Sequence, residues 1–267
     1  MPRGPRLSLT AIVITKNEER VIRRCLQSVS WADEIVVVDS GSTDDTVAIC
    51  REFTDKVVEA EWRGFGPQKA LALGLATQDW VLSLDADEYL AAGSGDAIRA
   101  AIAGHPETRA FRLPRVSSYC GRWIRHGGWA PDYVTRLFAR GQARFSDDLV
   151  HERLQVDGPV ATLDVSLYHE AFVDLEEVLR KVDHYSTLGA RALYERGRRA
   201  SLGEAVAHGL WAFIRTYFLK RGFADGREGF MLAVSNAEGA YYRYAKLMLL
   251  HNSPKTPDAP RRHRHDL

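Results

Sequence analysis

Residues 81–90, VLSLDADEYL, run from strand-forming side chains straight into three carboxylates, Asp85, Asp87 and Glu88. An acid at the end of a buried strand loses solvation unless a cation or hydrogen-bond donors meet it. Two readings are open. The strand surfaces and its acids begin a solvated turn, or Asp85 and Asp87, one residue apart, reach one hard cation. Mg²⁺ or Mn²⁺ takes few protein oxygens and keeps its other positions for substrate phosphates. It also offsets charge that develops on a diphosphate leaving group. A second acid, Asp39, closes the run EIVVVD, where its carboxylate can accept from a nucleobase N–H or a ribose hydroxyl. Lys69 opens a helical stretch and is suited to nucleotide phosphates. Together these residues imply transfer of a group from a nucleoside diphosphate.

Alternating strands and helices must position them. LTAIVI (9–14) is a continuous apolar run, typical of a strand buried on both faces. Residues 18–28 predict a helix with Asn17 as N-cap. Strands follow at 34–39, 56–61 and 80–84, with helices at 44–53 and 67–76 between them. Strand–helix alternation with short loops means parallel strands with right-handed crossovers. Ligands then bind beyond the carboxyl ends of the strands, where Thr15, Asn17, Asp39 and Asp85 lie. From 109 to 170, short β-like runs and Gly/Trp-rich loops predict an antiparallel continuation of the same domain. From 174 the chain reads as helices broken near Gly197 and Gly222. The expected organisation is an α/β catalytic domain over 1–172, a helical region over 173–252 and a disordered basic tail over 253–267.

Composition narrows the class. The 267 residues suffice for one large domain or one domain with an appendage. The net charge of +1 hides an asymmetry: residues 196–267 hold 13 Lys and Arg against 6 Asp and Glu, giving +7. Such a region suits an anionic partner, a membrane surface or a nucleic acid. No aromatic stacking motif or nucleic-acid fold signature accompanies it, so nucleic acid is not expected. Three cysteines without metal-site spacing argue against a disulfide framework and fit a reducing cytoplasm. The short apolar run near the N-terminus reads as a strand rather than a signal peptide. No stretch approaches the roughly 20 apolar residues of a transmembrane helix. A dinucleotide oxidoreductase is disfavoured, because TKNEER after the first strand lacks glycines that let a pyrophosphate approach. An aspartate-nucleophile phosphatase is disfavoured too, since nothing downstream of Asp85 completes a phosphotransfer set.

AIVITKNEE, VVVDSGSTDDT and SLDADE, in that order over residues 9–90, resemble the family-2 glycosyltransferases of GT-A fold. The resemblance implies a Rossmann-like mixed sheet, a nucleotide-sugar donor, a divalent metal and an inverting mechanism. It implies that Thr15, Glu18 and Asp39 contact the nucleoside and that Asp85 and Asp87 form the DxD pair; Asn17, at the same carboxyl edge, is a further candidate for binding the nucleotide sugar. Ser40 departs from many relatives, which carry a second acid there. An inverting transfer needs a general base near the acceptor hydroxyl. In such enzymes it lies beyond a glycine loop, and a later histidine completes the metal shell. Here GGW (127–129) stands for the loop, FSDDLVHE offers Asp147, Asp148 and Glu152, and LYHE offers His169. Glu152 is the expected base, with Asp148 beside it, and His169 the expected metal ligand. Arg136 is either a phosphate contact or a surface salt bridge. More narrowly, SLDADE, GGWAPDYVTRLF, LVHE and RTYFLKRGFADGREGF resemble lipopolysaccharide core-biosynthesis glycosyltransferases that place glucose on inner-core heptose.

The expected activity is therefore metal-dependent transfer of a hexose, glucose, from UDP-glucose to a lipid-linked core saccharide, by an enzyme peripheral on the cytoplasmic face of the inner membrane. Transfer to a polyprenyl phosphate is one rival; its anionic acceptor needs no base. A non-catalytic nucleotide-sugar-binding membrane protein is another. The donor sugar, the acceptor hydroxyl and the oligomeric state are not legible. In the tail, Leu202, Val206, Leu210, Phe213 and Tyr217 share an arc of roughly 80° and predict a stripe packed on the catalytic domain. Trp211, Ile214 and Phe218 lie beside it, with His208 and Arg215 beyond, as a membrane interface or as the edge of a wide core stripe.

Overall fold

The computed structural model describes residues 7–146 and 153–252. The chain divides into two compact units: Met1–Arg125 with Trp129–Val173, and His126–Gly128 with Asp174–Leu267.

The first unit is α/β, as expected. Its first half runs β1 (Leu9–Thr15), α1 (Ile22–Ser28), β2 (Glu34–Asp39), α2 (Thr46–Arg51), β3 (Val57–Glu59), α3 (Phe65–Leu75), β4 (Trp80–Asp85), β5 (Glu88–Leu90) and α4 (Ser94–Gly104). Then come β6 (Ala110–Tyr119), β7 (Arg122–Trp123), β8 (Asp132–Ala139), β9 (Ala143–Phe145), β10 (Leu154–Val156), β11 (Val160–Thr162) and β12 (Leu167–Phe172). The main sheet follows the order β3-β2-β1-β4-β8-β6-β12-β5. β1 pairs in parallel with β2 and β4, whereas β8 joins β4 antiparallel. The sheet is thus mixed at the point where the sequence changes character.

Every residue of β1 is buried. Alternate side chains serve two cores: Leu9, Ala11 and Val13 meet Leu26 of α1 and Ile98 of α4, while Ile12 and Ile14 meet Ala72 of α3. This two-sided cover explains an unbroken apolar run where a half-solvated strand would alternate. At the amino end of the sheet, Glu34 accepts from Thr10 Oγ1 (2.5 Å), Thr77 N (2.8 Å) and Thr77 Oγ1 (2.9 Å), and pairs with Lys56. Burial pushes its carboxyl up, but Lys56, Thr10 and Thr77 outweigh burial and bring it down to about 2. A pKa depressed on folding contributes stability that is present above the ordinary carboxylate value, about 4.3, and lost as pH falls toward the folded value. Glu34→Gln should therefore flatten the acid limb of stability between about pH 4 and pH 2 while lowering stability at neutral pH, as read from urea titrations across that range.

The second unit consists of α5 (Leu175–Glu195), α6 (Leu202–Ile214), a wide π-type turn over Arg215–Leu219, a 3₁₀ turn over Gly222–Asp225, and α7 (Gly226–Asn252). Asp174 caps α5 by accepting from Glu177 N at 2.8 Å, and Ser201 with Glu204 forms a capping box on α6. A Cβ on Gly229 would sit 1.9 Å from the carbonyl oxygen of Gly222, so GFADGREG brings two backbones into contact that no side chain permits.

Several sequence expectations need correction. Asn17 does not cap α1, which starts at Ile22; it has φ of 54° and belongs to a loop. Both helices start later than expected, where Glu18 N, Glu19 N, Asp45 N and Thr46 N donate to side chains of the two loops, and the second also ends early, at Arg51. The predicted stripe is split: Leu202, Val206 and Leu210 are exposed, Phe213 and Tyr217 are half-buried against Phe230 of α7, and the helix instead buries Ala205 and Gly209, the latter against Tyr241 of α7. Small residues win that face because they let two helices approach closely. The tail from residue 253 lies outside the described residues.

Candidate active site

At the carboxyl edge, the loops after β1 and β2 are laced together. Asn17 Oδ1 accepts from Thr43 N (2.8 Å), and Asn17 N donates to Ser42 Oγ (2.8 Å). Glu18 N donates to Thr46 Oγ1 (2.8 Å), and Asp45 N donates to Glu19 (3.2 Å). Asp39, almost fully buried, accepts from Gly41 N and Ser42 N on one oxygen (2.8 Å each) and from Ser42 Oγ on the other (2.5 Å). The hydroxyl and acidic composition of SGSTDDT is thereby explained as loop architecture. One carboxylate lone-pair position on Asp39 remains for a ligand. Thr15 Oγ1 is buried with no hydrogen-bond partner. A cleft of about 550 Å³ opens here, lined by Lys16, Ser40, Gly41, Glu59, Ala60, Glu61 and Trp62.

The acids of DADE separate into two groups. Asp85 meets cations: Lys69 Nζ of α3 lies 2.7 Å from its Oδ1, and Arg136 of β8 donates to its Oδ2 at 2.5 Å. Arg136 also donates to Glu88 (2.6 Å), Arg115 donates to Glu88 (3.3 Å) and to Asp132 (2.8 Å), and Glu88 accepts from Asp85 N (3.1 Å). The result is a ladder of alternating charge, Lys69–Asp85–Arg136–Glu88–Arg115–Asp132. Lys69 is 1% exposed, Glu88 0% and Arg136 9%, so each buried charge depends on its neighbours. Burial pushes the Asp85 carboxyl up, but the Arg136 guanidinium and Lys69 ammonium outweigh it and hold it well below the ordinary carboxylate range. Burial opposes the Arg136 charge, and Asp85 and Glu88 more than restore it. Arg136 is accordingly no surface salt bridge.

Asp87 faces elsewhere. Its Oδ2 lies 3.3 Å from His169 Nε2, and its carbonyl accepts from Glu170 N at 2.9 Å. β12 runs antiparallel to β5 with His169 opposite Glu88, a register backed by Tyr89 stacked on Tyr168 at 5.2 Å. His169 Nδ1 lies 2.9 Å from Ser117 Oγ. With the proton on Nδ1, donated to Ser117, Nε2 keeps its lone pair toward Asp87. Neighbouring ligands of an octahedral ion with bonds of 2.0–2.1 Å stand about 3 Å apart, so this pair fits two sites on Mg²⁺ or Mn²⁺. The expected three-ligand set is divided: Asp85 is engaged by Lys69 and Arg136. Among the described residues, no three His, Cys, Asp or Glu side chains form a group that could hold a metal ion. Two protein ligands suit an ion that takes its remaining oxygens from phosphate and water.

Asp147, Asp148 and Glu152 lie outside the described residues. The sequence marks Glu88 as the third acid of DADE but assigns it no role, and Arg115, Asp132 and Ser117 go unmarked, because they stand on distant strands and nothing local points to them.

The Glycosyl transferase family 2 model matches residues 10–138. The lipopolysaccharide core biosynthesis glycosyltransferase LpsC of Rhizobium meliloti is 31% identical over 266 residues, covering 95% of this chain and 97% of its own. An uncharacterized glycosyltransferase of Rickettsia felis is 33% identical over 258 residues, covering 90% of this chain and 89% of its own. Among solved structures, S. aureus TarS 1–349 in complex with UDP aligns over 95% of this chain and 94% of its own, with 17% identity and a TM-score of 0.49. Of a longer S. aureus TarS chain, this protein spans 45%.

Proposed function

Since this chain belongs to the family-2 glycosyltransferases, we propose that it moves a hexose, glucose in our reading, from a uridine-diphosphate sugar to an inner-core sugar of lipopolysaccharide. Its α/β unit with a helical C-terminal region is of GT-A type. The observation that carries the reading is the Asp87–His169 pair, 3.3 Å apart at the carboxyl edge beside the Lys69–Asp85 ion pair. The name of the R. meliloti relative, matched over nearly its whole length, supports the acceptor class.

In this reading the nucleoside occupies the cleft beside Ser40 and Trp62, with Thr15, Asn17, Glu18 and the last lone pair of Asp39 as its contacts. Lys69 and Arg136 bring positive charge to the strand end where the diphosphate lies, and they keep Asp85 ionised at neutral pH. Asp87 and His169 would hold Mg²⁺ or Mn²⁺, with Asp85 toward the nucleotide, and an ion bound there would offset the charge of the departing diphosphate. The acceptor hydroxyl oxygen forms a bond to the anomeric carbon as that carbon's bond to the diphosphate oxygen breaks. The hydroxyl proton passes to Glu152, with Asp148 as the other candidate acid, and the anomeric configuration inverts. A lipid-linked acceptor places the enzyme at the cytoplasmic face of the inner membrane.

Calorimetry with UDP, UDP-glucose, GDP-mannose and dTDP-sugars, each with Mn²⁺ and with EDTA, tests this. Uridine donors should bind, and bind only with metal. Binding indifferent to metal, or preference for guanosine or thymidine donors, would reject the donor assignment. Glu152→Gln should abolish transfer; an active variant would remove Glu152 as base and favour an anionic acceptor.

A further inference from the structure

α6 is apolar on both sides. It buries Ala205 and Gly209 against α7, yet Leu202, Val206, Leu210, Trp211 and Ile214, which cover an arc of about 180°, are all exposed. The exposed run continues through Phe218 and Leu219, at 55% and 62%, and Leu210 is 61% exposed. A water-facing helix ordinarily puts charge there, and an exposed patch of this kind marks a docking surface. Its surroundings are one-signed. From residue 205 to 224 there is no Asp or Glu, and Arg215, Lys220 and Arg221 are exposed where α6 ends.

We infer that α6 and the π-type turn after it form an in-plane membrane anchor that recognises an anionic lipid surface. The apolar arc enters the headgroup boundary, Trp211 and Phe218 lie at headgroup depth, and Arg215, Lys220 and Arg221 meet lipid phosphates. Charge chooses the occupant: an anionic bilayer complements these three cations, whereas a second copy of the chain would bring another basic region, also +7 over 196–267, against them. With 13 residues, α6 is too short to span a bilayer, and no helix among the described residues is long and apolar enough to do so. The anchor deepens the reading of a lipid-linked acceptor but is tested without the transfer reaction.

The full chain is floated with vesicles of phosphatidylcholine alone and of phosphatidylcholine with phosphatidylglycerol. Wild type should rise with the anionic vesicles, with a blue shift in tryptophan emission, and added salt should weaken the binding. Leu210→Glu should lower partition at least tenfold at an unchanged melting temperature, since this side chain contributes little to the folded interior. Arg215→Gln with Lys220→Gln should lower it roughly 30-fold on anionic vesicles only, at about fivefold per surface cation. Wild type that stays with the soluble fraction at both compositions would overturn the anchor. So would a wild-type dimer that Leu210→Glu turns into monomer without any change in flotation. A protein that floats but binds no nucleotide sugar keeps the anchor and loses the proposed reaction.

Discussion

Replacing Asp87 with alanine is expected to lower glycosyl transfer by roughly 10²–10³-fold, the scale seen when one preorganised group facing developing charge is removed. Metal-dependent donor binding should fall with it. The side chain is 28% exposed and its one described ion partner is His169, so the fold should tolerate the change. Urea unfolding should show little loss, which separates a lost metal ligand from a lost structure. Ser117→Ala gives a graded companion. It removes the hydroxyl 2.9 Å from His169 Nδ1 and should weaken metal affinity about 10–100-fold without abolishing turnover. Titration of Mn²⁺ by electron spin resonance, with UDP present, reads both effects. If Asp87→Ala keeps metal-dependent donor binding, the Asp87–His169 pair is not where the ion sits.

Glu88→Ala should have the other large effect, on stability. Glu88 is fully buried and takes hydrogen bonds from Arg136, Arg115 and Asp85 N. Removing it leaves the buried Arg136 guanidinium with Asp85 as its described partner, and uncompensated buried charge costs about 3–5 kcal/mol. Glu88→Gln, which can still accept a hydrogen bond, should lose less. Urea midpoints measure both. The exposed pair Arg23–Glu52, at 2.6 Å, is a control expected to have little effect, because solvent already serves both ions. A Glu88→Ala variant as stable as that control would mean the charge ladder contributes nothing.

These two neighbours show where a local pattern stops being informative. Asp87 and Glu88 are adjacent in DADE. Asp87 faces His169 from the turn between β4 and β5, whereas Glu88 opens β5 and is wholly buried between arginines of β6 and β8. Their spacing in DADE marks both acids but not which partner each one meets. The same limit applies to α6. Its apolar spacing was plain, but the choice of buried face fell to Ala205 and Gly209, which admit α7 more closely than the larger Val206 and Leu210 beside them would.

What the sequence determined by itself is the run of buried parallel strands and the polar residues at their carboxyl ends. Both follow from nearest-neighbour chemistry: β-rich apolar runs that need cover on two faces, and turn-forming Ser, Thr, Asn and Asp where strands stop. Tertiary structure alone decided how those polar groups are shared. Pairing of β8 with β4 brings Arg136 to Asp85, β12 brings His169 to Asp87, and β6 brings Ser117 to His169. Such pairs lie 51, 82 and 52 residues apart, and a buried charge accepts whichever partner the sheet delivers.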